Sequence, residues 1–185
     1  MEKRNFFQRL TGHFFTITRH RHQVIKHCKK AGILWQGLRH DLSKYTPTEF
    51  IPGVKFYTGH RSPNEGEREV FGYSKAWMHH KGRNRHHFEY WVDYNIETHR
   101  NEPVEMPYNY VAEMYCDRLA ASKIYNGKKY SVRRTFFHNI IVVHLICPSL
   151  KQACLTYFTS ETVYQEQYNT VNHRIEQAYR RGKTE

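Results

Sequence analysis

A chain of 185 residues suits one domain with a single core. Its net charge of +12, counting histidine as neutral, favours anionic partners such as phosphorylated metabolites, nucleic acid or acidic surfaces, and does not choose among them. The hydrophobic content of 39% includes an aromatic share of 15%, so a compact fold is expected despite the polar average.

The first stretch, MEKRNFFQRLTGHFFTITRH, has no continuous apolar core and does not read as a signal peptide. A helix is predicted over about residues 13–31, because Ile17, His20, Val24, Cys28 and Ala31 recur at steps of three and four and share one face. His27 shares that face, His22 falls off it, and Gly32 is the stop. A second helix, LWQGLRHDLSKY, is expected to end near Pro47. Residues 46–72 mix Pro, Gly and polar residues and read mostly as loop with one helical turn from Thr48, placed to serve as a lid or substrate-facing wall.

Helix is expected again over Ser74–His80, then a break at KGRN, then a helix capped by Asn84 and running to about Thr98. RNEPVEMP reads as a linker. YNYVAEMYCDRLAASKIYNG is the clearest helix, closed by Asn126-Gly127. Beyond residue 130, NIIVVHLI reads as a strand or a buried helix, and SETVYQEQYNTVNHRIEQAYRR as a helix. The apolar run at 136–147 is too short and too interrupted to span a bilayer. Cysteines at 28, 116, 147 and 154 form no CxxC pair and are expected as free thiols in a reducing cytoplasm.

Four places carry the chemistry: His20, the pair His40-Asp41, the segment WMHHKGRNRHHFEYW, and Asp117. Neutral imidazoles and carboxylates are the usual ligands of divalent transition metals. Taken singly, each has an ordinary reading: a hydrogen-bonded core histidine, an exposed turn pair, a basic nucleic-acid surface, or an acid paired with an arginine such as Arg21. On one straight helix, the two His-His pairs would lie about 10 Å apart along the axis, too far to share an ion. The break at Gly82 lets the chain turn, so that His80 and either His86 or His87 can face one site. Asp117 has Glu113, Met114, Ala120 and Ala121 as helical neighbours, so burial there calls for a metal or an arginine nearby.

The order His20, His40-Asp41, His80, His86-His87, Asp117 resembles the HD superfamily of metal-dependent phosphohydrolases. HDLSK is similar to its His-Asp motif. WQGLRHDLSKYTPTEF, RSPNE and WMHHKGRNRHHFEYW more closely resemble a small uncharacterised HD-related family, a domain of unknown function. The likeness spans about residues 14–127. It implies an all-α fold, a compact HD-type helical bundle, with residues 1–130 forming the metal-binding domain; residues 131–185 fall outside the likeness and are expected as a C-terminal extension packed on the same domain, with their fold and role open.

The reaction expected is metal-dependent hydrolysis of a phosphate ester or nucleotide, with one or two divalent ions (Mn, Fe, Zn, Co or Ni). His20, His40, Asp41 and Asp117 would hold the first ion. His80 with His86 or His87 would hold the second, with Asp41 bridging. Lys44, Arg83 and Arg85 are candidates to neutralise phosphate oxygens. Whichever histidine of each pair does not ligate, His79 or His86, would act in proton transfer beside Lys44 or would orient a ligand. Two other readings stay open: a diiron oxygenase of the same fold, and a non-enzymatic basic module that binds nucleic acid. No membrane partner is expected.

Overall fold

The computed structural model describes residues 4–127, and the expectations for the segments beyond residue 127 lie outside them. The architecture is all-α, with one short β-hairpin. In order the elements are α1 (Phe6–Lys30), α2 (Leu34–Arg39), a 3-10 turn (Leu42–Tyr45), α3 (Pro47–Lys55), α4 (Pro63–Phe71), α5 (Lys75–Lys81), a 3-10 turn (Phe88–Tyr90), β1 (Val92–Asn95), β2 (Arg100–Pro103) and α6 (Tyr108–Asn126).

Helix α1 starts at Phe6 rather than near residue 13. Asn5 and Gln8 form a capping box, each side chain accepting from the other's backbone N–H at 2.9 Å. The expected face is buried at Ile17, His20, Val24, His27 and Cys28, and His22 is exposed. That face packs on α6 and α2. Val24 and Cys28 meet Cys116 and Ala120 in a small apolar cluster bordered by Ala31 and Ile33.

Close packing of α2 on α1 depends on Gly37, since a Cβ there would lie 2.5 Å from Cys28 Cβ. Gly37→Ala is therefore expected to destabilise the protein by about 1–3 kcal/mol through overpacking, despite alanine's better helix propensity. Denaturant unfolding measures this. An unchanged or raised midpoint would mean that the two helices separate easily.

Four further expectations need correction. LWQGLRHDLSKY is not one helix: the chain leaves α2 at Arg39, His40 turns out of the helix at ψ 129°, and Asp41 sits in the left-handed region at φ 54°. Residues 46–72 are not mostly loop. Pro47 and Pro63 occupy first-turn positions that need no N–H donor, Ser62 caps α4 and Gly72 closes it at φ 77°.

No helix runs from Asn84 to Thr98. The Asn84 side chain bonds back to the His80 carbonyl at 2.8 Å and to Ser43 Oγ at 2.8 Å instead of capping forward. The following residues form the hairpin β1–β2, so the expected linker RNEPVEMP contributes β2. Asn95 Oδ1 accepts from the Glu97 and Thr98 N–H groups and shapes the turn. Among the described residues no helix is long and apolar enough to cross a membrane.

Candidate metal centre

The break after α2 builds the site. Its left-handed turn at Asp41 presents His40 and Asp41 to the buried face of α1 and to α6, and both residues are almost fully buried. Asp and Asn tolerate this conformation better than most residues, so a turn of this hand can carry a carboxylate.

Asp41 is the centre of the arrangement. Its Oδ1 lies 3.3 Å from His80 Nε2 and 3.4 Å from His86 Nε2. Its Oδ2 lies 3.2 Å from His40 Nε2, 3.8 Å from His20 Nε2 and 2.6 Å from Lys44 Nζ. From α6, Asp117 Oδ1 stands 2.9 Å from His20 Nε2 and 3.4 Å from His40 Nε2. The His87 ring packs at an angle against its neighbours, with its centroid 4.1 Å from that of His86 and 4.8 Å from that of His80.

Two four-residue sets of potential ligand atoms result, each within 4.8 Å mutually: His20, His40, Asp41, Asp117 and Asp41, His80, His86, His87; His40, His86 and Glu113 form a third, smaller group. Asp41 belongs to both four-residue sets. The Nε2 atoms of His20, His40, His80, His86 and His87 are buried without an aligned hydrogen bond, and so is Asp41 Oδ1. Buried polar atoms without partners are costly, and here they converge. Imidazole nitrogen and carboxylate oxygen form the donor set that Zn, Fe, Mn, Co and Ni accept. The residues present fit a metal ion.

The outward-facing nitrogens are taken. His40 Nδ1 is 2.9 Å and His86 Nδ1 3.3 Å from Glu113 Oε1, and His80 Nδ1 is 2.7 Å from Glu49 Oε2. Each carboxylate accepts an Nδ1–H, which leaves the Nε2 lone pair aimed inward, the usual support of a metal-ligating histidine. Glu113 and Glu49 were not assigned a role from the sequence. Glu113 carried a readable signal, one helical turn before Asp117 on the same face.

Electrostatics follow from the geometry. Burial would raise the Asp41 carboxyl, but the charges of His40 and Lys44 outweigh it and hold it well below its ordinary value. Asp117 is depressed likewise, burial being overcome by the close approach of the His20 and His40 imidazoles. Burial opposes a charge on His40, yet Asp41, Asp117 and Glu113 raise it well above the usual imidazole value. Burial keeps His20 low against the pull of Asp117. His87 is held low by burial and by the neighbouring His86.

The other expected site residues lie apart. His79 Nδ1 is 2.7 Å from Glu49 Oε1, and the residue stands outside both sets and the cavity beside them. Arg83 is exposed. Arg85 is also exposed, with its guanidinium over the rings of Tyr90 and Tyr110. Neither arginine lines the cavity; Lys44 does.

One family model matches the chain over residues 9–140, that of a family of unknown function (DUF5662). No curated protein and no solved structure gives a match.

Proposed function

The chain belongs to this family, and we propose that it is a metal-dependent phosphohydrolase of the HD type, acting on a phosphate monoester at a His/Asp centre. The observation that supports this reading is the placement of Asp41, which offers one oxygen to each of two imidazole groups. His20, His40, Asp41 and Asp117 would hold one divalent ion, and Asp41, His80, His86 and His87 the other. Ions held there would polarise a phosphoryl oxygen and make a water molecule acidic enough to attack near neutral pH.

The chain's own groups supply the rest. Lys44, beside Asp41 and facing the cavity, is placed to bind a phosphate oxygen. Glu113 and Glu49 fix the imidazole orientations. His79, which shares Glu49 with His80, acts as a positioning residue through that carboxylate. In the reaction one P–O bond forms from water and the ester P–O bond breaks. A water proton ends on the leaving alcohol, and inorganic phosphate departs.

Protein purified without added metal should retain one or two equivalents of a divalent transition ion. Chelation should abolish hydrolysis of a generic phosphate ester, and the same ion should restore it. A coloured diiron protein with no phosphatase turnover would sink the hydrolase reading in favour of the oxygenase. Salt-sensitive nucleic-acid binding that survives Asp41→Ala, with no bound metal, would favour the basic module.

A further inference from the structure

Beside the centre lies a cavity of about 210 Å³ whose far end has no part in holding metal. Along α1 its wall runs His13, Ile17, His20, a polar–apolar–polar line on one helical face. Seven residues separate the two histidines, on the order of 10 Å at the helical rise. The near end carries Lys44 and Asp117, and the far end His13, Thr16 and Tyr57.

The far end is built rather than incidental. His13 is buried, and its ring is clamped between Phe50 and Tyr57, with centroids 5.3 and 5.9 Å away. Gly53 closes the third side: a Cβ there would fall 2.2 Å from His13 Nε2. Yet His13 makes no hydrogen bond to another described residue, although burial, and then the charge of Lys44, push its pKa to about 4 and keep it neutral. A neutral imidazole has one donor and one acceptor to offer.

Tyr57 adds an acceptor. Thr16 Oγ1 donates to the Gly12 carbonyl at 2.8 Å, so the 2.9 Å contact between Thr16 Oγ1 and Tyr57 Oη uses the tyrosine proton. The Tyr57 oxygen thus retains acceptor capacity, and the residue lines the cavity. Such groups match hydroxyls, which both donate and accept. An alkyl chain would leave them unpaired, at a cost comparable to a lost buried hydrogen bond.

We propose that this end of the cavity is a leaving-group subsite. It would read the distal hydroxyl of a small polyhydroxy phosphate monoester, about five carbons long, through His13 and Tyr57. The inference rests on the phosphohydrolase reading for the phosphate end. The volume agrees, lying under the ~300–1,000 Å³ of drug-sized sites and far too small for a nucleic-acid strand.

The test compares ribose 5-phosphate with n-pentyl phosphate on the full chain loaded with the metal it retains, by turnover and by calorimetric binding. Ribose 5-phosphate should be preferred by about 10- to 100-fold in kcat/KM and in affinity. His13→Phe should bring that ratio down about tenfold, chiefly through KM. His13→Gln, which keeps a donor and an acceptor, should retain part of it.

Equal handling of the two compounds by the wild-type protein, or a ratio unmoved by His13→Phe, would overturn the subsite. If His13→Phe does not fold, the wild-type comparison and His13→Gln still decide. Preferential binding without turnover would uphold the subsite and overturn the hydrolase reading, whereas turnover without preference would do the reverse.

Discussion

Asp41→Asn is expected to lower the metal content by at least one ion and to abolish phosphate-ester turnover, while far-UV circular dichroism stays helical. No other residue belongs to both ligand sets: Oδ1 faces His80 and His86, and Oδ2 faces His20 and His40. An amide keeps the shape but replaces one anionic oxygen with an NH₂ group that cannot ligate, so at least one set loses its shared ligand. Alanine is a poorer probe, because Asp41 is left-handed at φ 54° and alanine there costs about 1–2 kcal/mol of backbone strain. Asp41→Ala would thus mix lost metal with lost fold. If Asp41→Asn kept full metal stoichiometry by elemental analysis, the bridging assignment would be wrong.

The residues of the centre were legible in the sequence to different depths, for physical reasons. His20 and Asp117 sit on long helices whose period places them on faces that must be buried, so their inward direction could be read. His40-Asp41 was singled out, but as part of a helix; its inward aim depends on a left-handed residue, which leaves no periodic trace. The His-rich segment was expected to fold back at KGRN, and it does. The expected following helix is absent because Asn84 spends its side chain on Ser43 and the His80 carbonyl. Residues 46–72 were hidden by composition, since prolines and glycines that suggest loop sit at helix starts and stops. Glu49 and His13 went unassigned because their roles depend on contacts between α1, α3 and α5, and single-helix periodicity does not encode those.

Glu113→Gln is expected to weaken metal binding by roughly 10- to 100-fold while leaving all the proposed ligands in place. One carboxylate oxygen accepts from both His40 Nδ1 and His86 Nδ1, while Gln36 Nε2 holds the other at 2.5 Å. Burial would raise this carboxyl, but the hydrogen bonds from His40 and His86 prevail and hold it at about 2. It is therefore ionised throughout the neutral range and keeps both imidazoles in the tautomer with Nε2 inward. The neutral amide can still accept at one oxygen, so the fold should survive. It no longer adds basicity to His40, whose value the surrounding carboxylates raise against burial.

Protons and metal compete for His40 Nε2, so wild-type affinity should fall as pH is lowered. In Glu113→Gln the fall should begin at lower pH, because His40 holds its proton less tightly. Competition with a chelator across pH measures both effects. Wild-type affinity and an unmoved pH profile in Glu113→Gln would show that Glu113 merely packs against the histidines, and the Nδ1 contacts would then explain nothing about how the Nε2 atoms are aimed.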